Sequence, residues 1–153
     1  IPTVDTAFVY IGTCIFEDTN ISEGRGTTKP FEMIGAPWLK SNEIIEKIGQ
    51  QEGVVLRECS FTPAFSDYKD SFCHGIQLHI TDREAFSPFA VGIKLLHTIK
   101  EIHPELEIEP SITKLIGTDD ILKPDFDPDA FIIVQEAHQV LGEGFGRYSK
   151  ESL

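Results

Sequence analysis

Basic residues are scarce in this chain. Thirteen lysines and arginines stand against 25 aspartates and glutamates, a formal net charge of -12. A phosphate backbone is bound by clustered Lys and Arg, so this balance argues against a nucleic-acid partner. It argues equally against docking on an anionic membrane surface. No apolar run of about 18 residues occurs, so no segment reads as a membrane-crossing helix. No signal-peptide pattern is visible either. Cysteine is sparse and odd in number: Cys14, Cys59 and Cys73. The three read as free buried thiols, although Cys59 and Cys73 would face each other if their segments pair as neighbouring strands. The five histidines do not cluster, and no metal-ligand spacing appears. Neither a phosphate loop, a dinucleotide fingerprint nor a Gly-x-Ser-x-Gly elbow is present, so neither metal nor cofactor is expected.

What is abundant is phenylalanine, eleven residues against one methionine and one tryptophan. With 41% hydrophobic residues in 153, this reads as one domain with a firm aromatic core. A chain of this size buries about 68–70% of its unfolded surface, which needs no disulfide or metal staple. The sequence opens at Ile1 and runs directly into VDTAFVYIGTCIF, which reads as the interior of a longer protein.

Along the chain, residues 7–16 are rich in Val, Ile, Tyr and Phe and read as a strand, with Gly12 a bulge or a point of close approach. Ser41 is placed to cap a helix running to about Gln51, stopped by Gly53. VVLRECSF (54–61) and CHGIQLHIT (73–81) alternate and read as strands. Ser87-Pro88 starts a helix whose stripe is Phe89, Ile93, Leu96 and Ile99 and which closes near His103. Ser111 caps a short helix, 112–116, ended by Gly117. Asp127-Pro128 repeats the cap-then-proline device, with helical spacing toward Gly142 and a separate short helix near 143–148. The fold class is therefore α+β or mixed α/β, a small mixed sheet covered by helices in a single domain.

The chemically loaded segment is NISEGRGTTKPFEMIGAPW, residues 20–38. Asn20 and Ser22 are turn formers. Gly24 and Gly26 bracket Arg25, so the backbone there has access to positive φ and close approach. Glu23 and Arg25, two apart, face the same way in an extended segment. Thr27 adds a hydroxyl. The segment is either a ligand loop, converging carboxylate, guanidinium, hydroxyls and amides on a polar ligand such as a sugar, or a long structural turn tied down by Arg25. Trp38 of GAPW either packs or offers a stacking platform. Asp82 and Arg83, at the end of the 73–81 strand, either meet a ligand or the loop, or form a capped surface turn.

The ordered run Ser22-Glu23-Gly24-Arg25-Gly26-Thr27 before Gly35-Ala36-Pro37-Trp38 resembles the signature of the exo-acting β-N-acetylmuramidase family. FTPAF (61–65), CHGIQLHITDR (73–83), FSPFAVGIKLL (86–96) and the terminal FGRYSKESL resemble that family in the same order. The resemblance implies two domains. The amino-terminal half is a Rossmann-type domain carrying the catalytic acid, and residues 1–153 are the smaller auxiliary half. It implies release of terminal N-acetylmuramic acid from the non-reducing end of peptidoglycan fragments, in an interdomain cleft, and a bacterial cell-envelope setting. Under that resemblance Asn20, Ser22, Glu23, Arg25, Thr27, Asp82 and Arg83 form the substrate-binding wall. Arg25 meets the lactyl carboxylate of muramic acid. Glu23 is either a second catalytic carboxyl or the partner that orients Arg25. Hydrolysis by this chain alone is not expected, because the implied catalytic acid lies in the other half. Two alternatives stand beside this: a carbohydrate or cell-wall binding module that works alone, and a purely structural partner domain.

Overall fold

Thr3 starts the fold. Its hydroxyl accepts a hydrogen bond from the Thr6 N–H at 3.1 Å and caps a helix, α1, over Val4–Thr13. A 3-10 turn follows at Cys14–Asp18. This computed structural model describes the backbone of residues 2–151 and the side chains of residues 2–139. It divides into two units, Ile1–Thr118 and Asp119–Leu153.

The strand expected at residues 7–16 is thus a helix. The stretch is almost wholly apolar, so it carries no polar marks to separate a period of 2 from one of 3.6. The residues that are buried, Thr6, Val9, Gly12 and Thr13, recur at helical spacing. Tertiary ties decide the matter. Thr6 Oγ1 donates to Glu32 Oε1 at 2.5 Å, and Thr13 Oγ1 donates to the Phe31 carbonyl at 2.9 Å. Gly12 is indeed a close-approach point, but between helices.

The remaining elements of the first unit are β1 (Met33–Ala36), α2 (Ser41–Ile48), β2 (Val54–Phe61), β3 (Cys73–Ile80), α3 (Pro88–Ile102) and α4 (Ile112–Ile116). β2 keeps its expected limits, and β3 differs from its expected span by one residue. α3 and α4 start and stop at the expected signals. β1 has no counterpart among the expected elements: Gly35 and Ala36 end a strand. α2 is shorter than expected. It stops at Gly49, φ 70°, and Ser41 is its first helical residue, not its cap. The cap position belongs to Lys40, whose N–H donates to His103 Nε2 at 3.1 Å.

The three strands run in the order β1-β3-β2, and both pairings are antiparallel, where a mixed sheet was expected. The connection from β2 to β3, residues 62–72, is shorter than a parallel crossover of about a dozen residues or more, which accounts for the β2–β3 pairing. Ile34 pairs with Ile76 and Gly35 with Gly75, which lies opposite Cys59. A Cβ on Gly35 or Gly75 would sit 2.8 Å from the Phe61 ring. Glycine at both sites lets that ring approach the sheet closely, where Met33, Phe61 and Cys73 form a cluster with Cys59 and Tyr68. Cys59 and Cys73 are free thiols on adjacent strands. Burial pushes the Cys59 thiol up to about 11, with Glu58 adding to the shift.

In the second unit, a 3-10 turn at Asp120–Leu122 precedes α5, Pro128–Glu151. Asp127 Oδ1 accepts from the N–H groups of Asp129 and Ala130 and caps α5 as expected. The expected break near Gly142 does not occur, and one helix replaces two. The side chains of the terminal FGRYSKESL segment lie outside the described residues.

Candidate functional site

The segment 20–38 closes on itself. Ser22 N–H donates to the Gly35 carbonyl and Gly35 N–H returns the bond to Ser22, both at 2.8 Å. Ser22 therefore extends the sheet beyond β1, and its hydroxyl accepts from Gly24 N–H at 3.2 Å. Gly24 and Gly26 have φ of 80° and 84°, the left-handed backbone that glycine permits. Close packing adds a second reason at Gly26, where a Cβ would lie 2.5 Å from the Phe65 carbonyl oxygen. Thr27 Oγ1 donates to the Gly24 carbonyl at 2.6 Å and tightens the turn.

Glu23 and Arg25 do face the same way. Arg25 Nε lies 3.1 Å from Glu23 Oε1, and Arg25 Nη2 lies 2.8 Å from Glu17 Oε1. The guanidinium also sits 5.2 Å from the centroid of the Phe31 ring. The two ends of the pair differ sharply in exposure. Glu23 is 1% exposed, whereas the Arg25 side chain is 45% exposed. The arrangement is a buried carboxylate on Nε of a half-open guanidinium, with a second carboxylate on its Nη2. Such a fork matches a carboxylate ligand in two-point geometry.

Burial raises the Glu23 carboxyl above its ordinary value, and its own backbone N–H and Arg25 oppose the shift. Asp67 and Glu17 add smaller upward pushes. The folded state therefore holds this proton to higher pH than the unfolded chain does. Its contribution to stability is complete below the ordinary value of 4.5 and is lost as pH rises through the raised value. Glu23→Gln removes that dependence. The stability difference between variant and parent should move in the variant's favour as pH rises from about 4 toward neutrality. Chemical denaturation across that range measures it, and a difference that stays flat sinks the assignment.

Asn20 is a clamp. Its Nδ2 donates to the Glu105 carbonyl at 2.8 Å and its Oδ1 accepts from Glu107 N–H at 2.9 Å. Its carbonyl accepts from the Tyr68 hydroxyl at 2.6 Å. Tyr68 in turn accepts from Trp38 Nε1 at 3.2 Å, and the Trp38 ring lies 5.1 Å from His103. Trp38 is thus engaged in packing. Asp82 and Arg83 are not drawn to this cluster by their bonds. Arg83 pairs with Asp5 on α1 at 2.8 Å and lies over Phe8, while Asp82 Oδ1 accepts from Glu84 and Ala85 N–H in its own turn.

Two participants escaped the sequence reading. Glu32 is buried and receives Thr6 and Thr3 hydroxyls, with Lys29 Nζ 3.2 Å from its other oxygen. The signal was there, an acidic residue inside PFEMIG, since a carboxylate in an apolar run is buried only when satisfied. Glu17, which grips Arg25, lies eight residues upstream and carries no local mark.

Residues 8–124 match the family described as "Exo-beta-N-acetylmuramidase NamZ, C-terminal". The chain belongs to this family. Among relatives, the peptidoglycan beta-N-acetylmuramidase NamZ of Bacillus subtilis (strain 168) is 50% identical over 106 residues, which cover 68% of this chain and 26% of that protein. The chain thus spans about a quarter of that relative's length. Two crystal structures of DUF1343 family proteins from Bacteroides fragilis NCTC 9343 share the fold. One has a TM-score of 0.60 at 25% identity, covering 65% of this chain and 27% of the other. The second has a TM-score of 0.50 at 25% identity, covering 76% and 31%. The Glu23–Arg25 pair is therefore a feature of a NamZ carboxy-terminal domain.

Proposed function

We propose that this NamZ C-terminal domain is the substrate-binding half of an exo-acting muramidase. Segment 20–28 supplies one wall of a cleft shared with an amino-terminal, Rossmann-like domain. Arg25 takes the lactyl carboxylate of a terminal N-acetylmuramic acid, and Glu23 orients it. The hydrolytic acid belongs to the other domain, so this chain alone binds without turning over. The setting is a bacterial cell envelope that releases or recycles peptidoglycan fragments. The observation that carries the reading is the contrast in exposure within the ion pair. A chain with net charge -12 holds one half-open guanidinium on a buried carboxylate, in a loop closed by two backbone hydrogen bonds. A purely structural arginine is also favoured by one fact, its second carboxylate partner Glu17.

Titration separates the two. N-acetylmuramic acid and N-acetylglucosamine differ by the lactyl group, so the wall should prefer the former, and Arg25→Ala should abolish the preference. Equal binding of both sugars by the parent, or none of either, rejects the proposal. Release of muramic acid from a chromogenic muramide by this chain, lost in Glu23→Gln, would instead place the chemistry on the loop.

A further inference from the structure

The loop 62–72 between β2 and β3 holds three non-glycine residues at positive φ: Ser66 (69°), Tyr68 (57°) and Asp70 (60°). Each such residue is unfavourable by about 1 kcal/mol or more, and clusters of them persist only where surrounding bonds over-determine the backbone. Those bonds are present. Ala64 N–H donates to the Gly26 carbonyl at 2.9 Å, Asp70 N–H to Pro63 at 2.8 Å, and the Tyr68 hydroxyl to Asn20 at 2.6 Å. The first and last of these tie the loop to segment 20–28 at both ends of that segment.

Two large apolar side chains of this loop are left in water: Phe72, which lies edge-on to the His74 ring, and Phe65, at the junction with Gly26. Phe65 is 61% exposed, and its backbone N and O both sit against Gly26, the residue after Arg25. An isolated exposed apolar residue is ordinary. A ring in water on a loop with three positive-φ residues, its backbone against the residue that follows a half-open guanidinium, is not explained by packing. Aromatic rings present a negative π face to weakly positive C–H groups. The C–H face of a pyranose is such a surface.

We infer that Phe65 is a sugar-stacking platform that extends the Arg25 wall onto loop 62–72 and binds the ring of an N-acetylated pyranose. This rests on the proposed function and assigns a second, charge-independent contact to it. Arg25 selects the carboxylate; Phe65 holds the ring whatever its substituent.

The two contacts predict different signatures when the chain is titrated with N-acetylmuramic acid and N-acetylglucosamine, followed by amide NMR. Phe65→Ala should weaken both sugars by roughly tenfold and leave their ratio unchanged, as truncating an anchoring aromatic does. Phe65→Trp should retain both, and Phe65→Leu, which keeps apolar bulk without a ring, should behave as Phe65→Ala. The Leu variant also serves if the Ala variant perturbs folding. Parental affinity in both Phe65→Ala and Phe65→Leu overturns the inference and leaves the ring to a contact with the amino-terminal domain. In that case the Arg25→Ala ratio still decides the proposed function separately. Failure of the parent chain to bind either sugar removes the proposed function and this inference together.

Discussion

Gly12→Ala is expected to destabilise the Ile1–Thr118 unit by about 3 kcal/mol, lowering its melting temperature by on the order of 10 °C. On propensity alone the sign would be opposite, because alanine in a helix interior is favoured over glycine by about 1 kcal/mol. Space decides. A Cβ at Gly12 would lie 2.0 Å from the Pro88 carbonyl oxygen and 2.7 Å from its carbon. A Cβ at Gly92 would meet the Gly12 carbonyl oxygen at 2.2 Å. The obstacles are backbone atoms at the start of α3, so no rotamer change relieves the clash. α1 and α3 would have to separate along a crossing where two glycines let the backbones touch. The ties from α1 to Glu32 and Phe31 would then be pulled with it. Gly49→Ala is the control: it meets nothing within 4 Å and suffers only its positive φ. Thermal melts of the three proteins measure the effect. A Gly12→Ala variant as stable as the parent would show that the helices do not cross at this point.

Gly12 also shows what the sequence could and could not reveal. Its role as a close-approach site was legible, but the partner that approaches is Gly92, eighty positions away and unmarked. The same divide runs through the fold. β2, α3 and α4 carry their own punctuation: alternation ended by Pro63, a Ser-Pro start, a Gly117 stop. α1 carries only the Thr3 cap at its start, and its apolar residues fall on both the buried and the exposed side, so the hydroxyl ties of Thr6 and Thr13 to Glu32 and Phe31 are what single out a helix. β1 is four residues long and exists because Ser22 and β3 pair with it on either side. In the site, the Glu23–Arg25 contact is local and follows from a spacing of two. The grip of Glu17, the burial of Glu32 and the pairing of Arg83 with Asp5, 78 residues apart, depend on the assembled fold.

Arg25→Ala is expected to weaken N-acetylmuramic acid binding by about 2 kcal/mol, roughly 30-fold, with N-acetylglucosamine affinity nearly unchanged. The magnitude is that of a charge-assisted hydrogen bond to a carboxylate. The selectivity follows because only the lactyl carboxylate is lost as a partner. Arg25→Lys should recover only part of the effect: an ammonium keeps the charge but not the two-point fork, and its shorter reach cannot bond Glu23 and Glu17 together. The stability change should be smaller than for an ordinary buried pair, since the Arg25 side chain is 45% exposed and water screens its attraction. What remains is Glu23, 1% exposed and without its cation, so its carboxyl should rise further as the downward pull of Arg25 disappears. The variant should therefore lose stability toward neutral pH more steeply than the parent, and Arg25→Ala combined with Glu23→Gln should remove that dependence. The two readouts are independent. Loss of muramic selectivity with a modest stability change makes Arg25 a ligand contact. Unchanged sugar affinities with a large fall in melting temperature make it a structural tie, and the wall of the cleft must then be sought on another face.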